Sequence, residues 1–166
     1  LATAKKAMDG RDDFKLHYAV KANTCPTILE TVRQYGFGAD TVSGGEVECA
    51  LRAGFPARRI MFAGVGKTDA EIRLALRKGI GCLNVESVEE LEVVNKIAAS
   101  MDVTAPVALR INPDIDAHTH HYITTGVAEN KFGIDISRAR RAVDTATAMD
   151  HINFRGLHFH IGSQIT

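Results

Sequence analysis

Short apolar runs alternate along the chain with longer stretches in which apolar residues recur every three or four positions. The short runs read as strands and the longer stretches as amphipathic helices. Residues 16–22 (LHYAVKA) form the first strand. The helix after it opens on Cys25-Pro26-Thr27, where proline is tolerated because that N–H would lack an intrahelical partner anyway. It runs through Ile28, Leu29 and Val32 and stops at Gly36. Residues 38–42 are the second strand, and Ser43-Gly44-Gly45 open a helix carrying Val47, Ala50 and Leu51. Residues 59–63 come third. Thr68-Asp69-Ala70-Glu71 has the spacing of a capping box for a helix that ends at Gly79. Residues 81–85 are the fourth strand, and Ser87-Val88-Glu89-Glu90 heads a helix with Leu91, Val94 and Ile97 inside. Residues 106–111 and 154–161 are the fifth and sixth strands. Between them lie a long loop from Pro113 to Gly133 and a helix from about Ser137 to Met149.

Strands that alternate with helices pair in parallel through right-handed crossovers. A doubly wound sheet and a (β/α)8 barrel share that pattern. The first five strands recur about every 21 to 25 residues with similar short loops, which favours the barrel. A complete barrel needs about 250 residues, so 166 residues predict an incomplete (β/α)8 TIM barrel of class α/β. About six βα units are visible, and residues 1–166 read as one partial barrel domain. An unclosed barrel leaves edges at its first and sixth strands. The chain opens on Leu1 rather than methionine and stops at Thr166 after a strand-like segment, as a piece of a longer polypeptide would.

Composition narrows the function classes. With 45% hydrophobic residues, 24% charged residues and no net charge, there is no electrostatic case for nucleic acid or an acidic membrane surface. Nothing approaches the roughly 18 unbroken apolar residues of a membrane span, and no basic-then-apolar secretory pattern opens the chain. Cys25, Cys49 and Cys82 lack metal-ligand spacing and read as reduced, mostly buried thiols of a cytoplasmic protein.

Candidate chemistry starts at Lys21, near the end of the first strand. Burial there would disfavour the charged ammonium and expose the amine as a nucleophile, the group a Schiff base with a carbonyl cofactor requires. In a parallel barrel, chemistry gathers where strands end at their C-termini. Asn23, Asp40, Arg110, Asn112, His158, His160 and Ser163 all fall at such ends. The plain alternative for each alone is solvent exposure at a strand tip. Asp40 could equally cap the next helix together with Ser43. Arg110 follows an apolar run and should be paired with an acid or an anion.

His158 and His160 share one side of a strand. A metal pair and a flat ring stacking on a cofactor both fit that placement. No carboxylate follows them, and Gly162-Ser163 offers a turn with a hydroxyl and free N–H groups suited to a phosphate. His118, His120 and His121 have no metal-ligand spacing on a helix and read as a solvated loop cluster. Gly64-Val65-Gly66-Lys67-Thr68 resembles the end of a P-loop, but position 61 is Met, so the full spacing is not met. It reads as a loop into the third helix.

An ordered series of motifs then stands out. Tyr18-Ala19-Val20-Lys21-Ala22-Asn23 is similar to the lysine motif of the alanine-racemase-fold, pyridoxal-phosphate-dependent decarboxylases. Arg110-Ile111-Asn112-Pro113-Asp114 comes next, then Thr119-His120-His121-Tyr122-Ile123-Thr124-Thr125-Gly126, Asn130-Lys131-Phe132-Gly133 and His158-Phe159-His160-Ile161-Gly162-Ser163-Gln164. From about residue 14 onward the series resembles the diaminopimelate decarboxylase family more closely than the ornithine or arginine enzymes. The resemblance implies that Lys21 holds pyridoxal 5′-phosphate covalently, that His160 stacks on its ring, and that Ser163 lies near its phosphate. Arg110 and Asp40 would help to position it, and no metal is implied.

The implied reaction is decarboxylation of meso-2,6-diaminopimelate, an amino-acid substrate, to L-lysine and carbon dioxide, the last step of lysine biosynthesis. It is carried out by a homodimer in which a cysteine reaches the site from the second subunit. The glycine-rich phosphate loop, the acid facing the pyridine nitrogen and the C-terminal β-domain of that family would lie beyond residue 166, so the chain alone should not turn over. The alternatives are a related decarboxylase acting on carboxynorspermidine, arginine or ornithine, a non-catalytic cofactor-binding relative, and, more remotely, a metal-dependent barrel hydrolase.

Overall fold

The strands pair in parallel throughout a computed structural model that describes residues 1–7, 9–11, 13–113 and 132–160. The chain forms two compact units, Leu1–Leu83 and Asn84–Thr166. In the first, helix α1 (Ala2–Ala7) precedes β1 (His17–Ala19), α2 (Pro26–Gln34), β2 (Gly38–Thr41), α3 (Gly44–Arg52), β3 (Ile60–Phe62) and α4 (Asp69–Lys78). The sheet order is β1-β2-β3-β4, with β4 running Cys82–Val85. In the second unit α5 (Val88–Ser100) leads to β5 (Ala105–Asn112), β6 (Ile134–Asp135), α6 (Ala139–Thr147) and β7 (Ile152–His158). There β5 pairs with β7 along Ala105–Arg110 and with β6 at Ile111 and Asn112.

Strands buried on both faces need apolar residues at successive positions rather than alternate ones. Strand β4 buries all four of its residues, three of them apolar (Cys82, Leu83 and Val85), and β5 buries Ala105, Val107, Ala108, Leu109 and Ile111. Helices α2 to α5 each send an apolar stripe to the core: Leu29 and Val32, Val47 and Ala50, Ile72 and Ala75, then Leu91, Val94, Ile97 and Ala98.

One device starts three of these helices. Ser43, Thr68 and Ser87 each accept a hydrogen bond from the N–H three residues on, at 3.2, 3.3 and 3.1 Å. The glutamates at those third positions reach back. Glu46 accepts from Val42 N–H at 2.9 Å, Glu71 from Thr68 N–H at 3.0 Å, and Glu90 from Glu86 N–H at 2.8 Å. N–H groups that the helix itself cannot satisfy are thereby paired. At the other end of α4, Gly79 takes the left-handed conformation at φ 64°, as its position after the last turn predicts.

Glu71 does more than cap. Its second oxygen accepts the Gly44 N–H at 2.8 Å, tying the start of α3 to α4. Hydrogen bonds from the Gly44 and Thr68 backbones hold its carboxyl below the usual carboxylate range. The stabilisation is present above the unfolded value of about pH 4.3 and is lost as pH falls through the folded value. Glu71→Gln offers one acceptor where two directions need one and should cost about 1 kcal/mol at neutral pH. Denaturant titrations should show that difference shrinking below about pH 4; a constant difference would contradict the assignment.

Glycine is required at residue 81, where β4 enters beside the segment before β3. Its N–H donates to Ala57 O and Ile60 O at 3.0 and 2.9 Å. A Cβ there would sit 2.8 Å from the Arg58 carbonyl carbon and nearer still to its oxygen, with backbone on both sides unable to rotate away. Gly81→Ala should therefore destabilise by about 1–3 kcal/mol. Gly66→Ala, where a Cβ meets nothing within 4 Å, is the matched control, and its midpoint in chemical denaturation should stay close to that of the parent.

The predicted strands and helices fall within a few residues of those observed, with instructive differences. The first strand ends at Ala19, and a 3-10 turn spans Val20–Ala22. The last begins at Ile152, two residues earlier than predicted. Strand β6 and helix α1 have no counterpart among the predicted elements. The three cysteines are free, but only Cys82 is buried; Cys25 is exposed and Cys49 half-buried, against the expectation of mostly buried thiols. Among the described residues no helix is long and apolar enough to cross a membrane.

Candidate active site

In the first unit the chain leaves β1 through the 3-10 turn that carries Lys21. Val20, the apolar residue of the turn, is fully buried and takes the inward position. Lys21 is exposed, so the burial predicted for its amine is not found. The physical reason is the short strand: β1 hydrogen-bonds for three residues only, after which the turn swings the next side chain outward. Asn23 closes the turn, its N–H donating to Val20 O at 3.1 Å. Its side-chain oxygen accepts from Cys25 N–H at 2.8 Å, and its carbonyl accepts from the Tyr18 hydroxyl at 3.4 Å. Among the described residues no hydrogen bond or ion pair engages the Lys21 ammonium.

Asp40 is half-buried on β2, in register with Ala19 on one side and Met61 on the other. This places it one strand over and two residues from Lys21 in register. Ser43, not Asp40, caps α3, which resolves the alternative left open by the sequence. Lys67 donates to Gly64 O at 2.7 Å and lies 5.6 Å from the centre of the Phe62 ring. The glycine-lysine-threonine stretch is thus an internally bonded loop leading to the α4 cap.

In the second unit the organising residue is Arg110, near the C-terminal end of β5. Its Nη1 donates to both carboxylate oxygens of Glu86, at 2.9 and 3.0 Å. The side chains of Arg110 and Glu86 are 14% and 6% exposed, so this ion pair is largely removed from water. The guanidinium carbon also lies 5.8 Å from the centre of the Phe132 ring, within cation–π range. Gly133, at φ 88°, lets the chain press against β5: an added Cβ would lie 3.1 Å from Arg110 O. Ile134 and Asp135 then pair with Ile111 and Asn112.

A bulge sets what stands opposite Arg110. The register of β7 against β5 shifts between Val107 and Ala108, where Phe154 and Gly156 are the successive partners and Arg155 is the extra residue. Bulges re-aim side chains near sites. Here the shift brings His158 into register with Arg110. His158 is half-buried, and His160, two residues past the end of β7, is exposed. Among the described residues no three His, Cys, Asp or Glu side chains gather as a metal site. Ser163, with Gly162 and Gln164, lies outside the described residues, as do His118, His120 and His121.

Each unit thus carries part of the predicted set at the C-terminal ends of parallel strands: Lys21 and Asp40 in the first, Arg110, His158 and His160 in the second. The residue missed from sequence is Glu86. The expected acid partner of Arg110 exists, but it stands 24 positions away. The available signal was an acid directly after an apolar strand and directly before a capping serine.

Known proteins share this fold and much of this sequence. Residues 1–166 match the family model of the pyridoxal-dependent decarboxylase pyridoxal-binding domain. The chain is 59% identical over 152 residues to diaminopimelate decarboxylase of Bacteroides thetaiotaomicron, covering 92% of this chain and 39% of that protein. Among solved structures, a point mutant of diaminopimelate decarboxylase from Helicobacter pylori complexed with L-lysine superposes with a TM-score of 0.90 at 44% identity. That match covers 99% of this chain and 41% of the other. Arginine decarboxylase of Paramecium bursaria Chlorella virus is more distant, with a TM-score of 0.77 at 25% identity over 98% of this chain and 41% of the other. The chain spans about two fifths of the length of these relatives. The fold class is α/β, built from the parallel βα units of an incomplete (β/α)8 barrel. The chain belongs to the pyridoxal-binding domain family of the pyridoxal-dependent decarboxylases.

Proposed function

We propose that a polypeptide carrying this chain is a carboxy-lyase that converts meso-2,6-diaminopimelate to L-lysine and carbon dioxide with pyridoxal 5′-phosphate. The observation that carries the reading is the 59% identity over 152 residues to a diaminopimelate decarboxylase. It is supported by the arginine decarboxylase standing at 25%, well below the 44% of the lysine-complexed diaminopimelate enzyme. The residues on hand fit the cofactor. Lys21 presents an amine that no described side chain engages, as covalent attachment to an aldehyde needs. Among the described residues Arg110 is held through Nη1 alone, which leaves N–H donors for an anionic oxygen.

When bound, the cofactor supplies an electron sink for the pair left on the α-carbon as carbon dioxide departs. This chain's part is attachment and orientation. Lys21 anchors the cofactor at the end of β1. His160 would hold the cofactor by stacking on its ring, and so help to orient it. Asp40 and Arg110 would help to hold it, and Ser163 would supply a hydroxyl for its phosphate. In this reading residues 1–166 form one partial cofactor-binding domain of a cytoplasmic homodimer. The remaining catalytic groups come from the further length that relatives possess.

The test uses a polypeptide of full family length. Pyridoxal phosphate should give an absorbance band near ~420 nm. Carbon dioxide should be released from meso-diaminopimelate far faster than from arginine, ornithine or carboxynorspermidine. A band with faster release from another amino acid overturns the substrate; no band overturns the cofactor assignment.

A further inference from the structure

The ion pair between Glu86 and Arg110 has a geometry that a purely structural bridge does not need. Arginine–carboxylate pairs are frequently bidentate, meeting as two parallel bonds through two nitrogens. Here both carboxylate oxygens converge on the single nitrogen Nη1, at 2.9 and 3.0 Å. The Phe132 ring approaches the same guanidinium at 5.8 Å. No described residue accepts a hydrogen bond from Nε or Nη2. Glu86 is itself tightly placed: it is 7% exposed, and its backbone N–H donates to Glu90 at 2.8 Å at the head of α5. The guanidinium is therefore clamped on one side by Glu86, and its Nε and Nη2 donors at the C-terminal end of β5 are engaged by none of the described residues.

We propose that Glu86 is a positioning residue for cofactor binding, holding Arg110 by Nη1 so that its remaining N–H edge is set for an anionic oxygen of pyridoxal phosphate. The inference rests on the reading that Arg110 helps to hold the cofactor, and goes beyond it by assigning the residue that makes this possible. Arginine side chains are long and rotamer-rich, and fixing one before binding removes an entropic cost that would otherwise fall on the ligand. The carboxylate acts through Arg110 and need not touch the cofactor.

Titration of pyridoxal phosphate into the full-length polypeptide, monitored by absorbance or fluorescence, provides a readout separate from turnover. Glu86→Gln and Arg110→Met should each weaken binding by about tenfold or more, and the double variant should weaken it no more than Arg110→Met alone, because the two act as one unit. Glu86→Asp retains the charge and should restore a large part of the affinity. If Glu86→Gln does not fold, Glu86→Asp alone and the pair Glu86→Leu with Arg110→Met supply the test. That apolar pair should fold, since replacing both partners removes the buried charges together, yet bind as weakly as Arg110→Met. If Arg110→Met binds as tightly as the parent, the reading that Arg110 holds the cofactor fails. If Arg110→Met weakens binding while Glu86→Gln does not, or if their losses add, the positioning role of Glu86 is overturned.

Discussion

Replacing Lys21 by arginine should leave the fold as stable as the parent and reduce turnover by a factor on the order of a thousand or more. The two halves of this expectation come from different observations. Lys21 is exposed and makes no hydrogen bond or ion pair with a described residue, and substitutions at such positions stay within about 0.5 kcal/mol. Arginine keeps the charge and the length, but it has no amine that can condense with an aldehyde. Lys21→Ala should lose as much turnover and likewise melt unchanged. A variant that loses activity in proportion to a drop in melting temperature would point to a structural lysine instead. Added pyridoxal phosphate should leave the arginine variant without its band near ~420 nm, so that spectrum and rate fall together.

Glu86→Leu should destabilise the second unit by about 3–5 kcal/mol. Arg110 would be left with its charge in a site where its side chain is 14% exposed and its acid partner is gone. The ring of Phe132 offsets a small part of that cost, cation–π contacts being worth about 1 kcal/mol at such sites. Arg110→Leu should cost a similar amount, because it leaves the Glu86 carboxylate, 6% exposed, without its cation. Removing both charges together should cost much less than the sum of the two. Equilibrium unfolding of the four proteins in denaturant forms a double-mutant cycle. Additive losses would mean that the ion pair contributes no coupling and that each side chain acts through packing.

Much of this molecule is legible residue by residue because the signals are local. Thr68 and Glu71 are three positions apart, and the bonds they form are written in that spacing. Gly79 stops α4 for the same kind of reason, since only glycine takes the left-handed conformation without penalty. Ser43 and Glu46 repeat the device: the sequence points to Ser43 at the helix start but leaves Asp40 as a rival cap and gives Glu46 no part. Signals fade where the deciding partner is far along the chain. Arg110 demands an acid, yet the local signal at Glu86, an acid between an apolar strand and a capping serine, does not say which cation it meets. Strand β6 has two residues, too few for any periodicity to register.

Lys21 shows the other limit. An apolar run that ends in lysine predicts a strand to its last residue, but hydrogen bonding to β2 stops at Ala19. Beyond Ala19 the chain turns, and Val20 takes the buried place. The motif draws attention to the right kind of side chain, an amine, while the burial inferred for it does not hold. Access, rather than burial by its own unit, is what the chain offers at this position.

The most direct measurement is reductive trapping. The full-length polypeptide is loaded with pyridoxal phosphate, treated with borohydride, digested and mapped by mass spectrometry. A single stoichiometric label is expected on the peptide containing Lys21, lost in Lys21→Arg. A label on another lysine, or a mixture spread over surface lysines and unchanged by that substitution, would contradict attachment at Lys21.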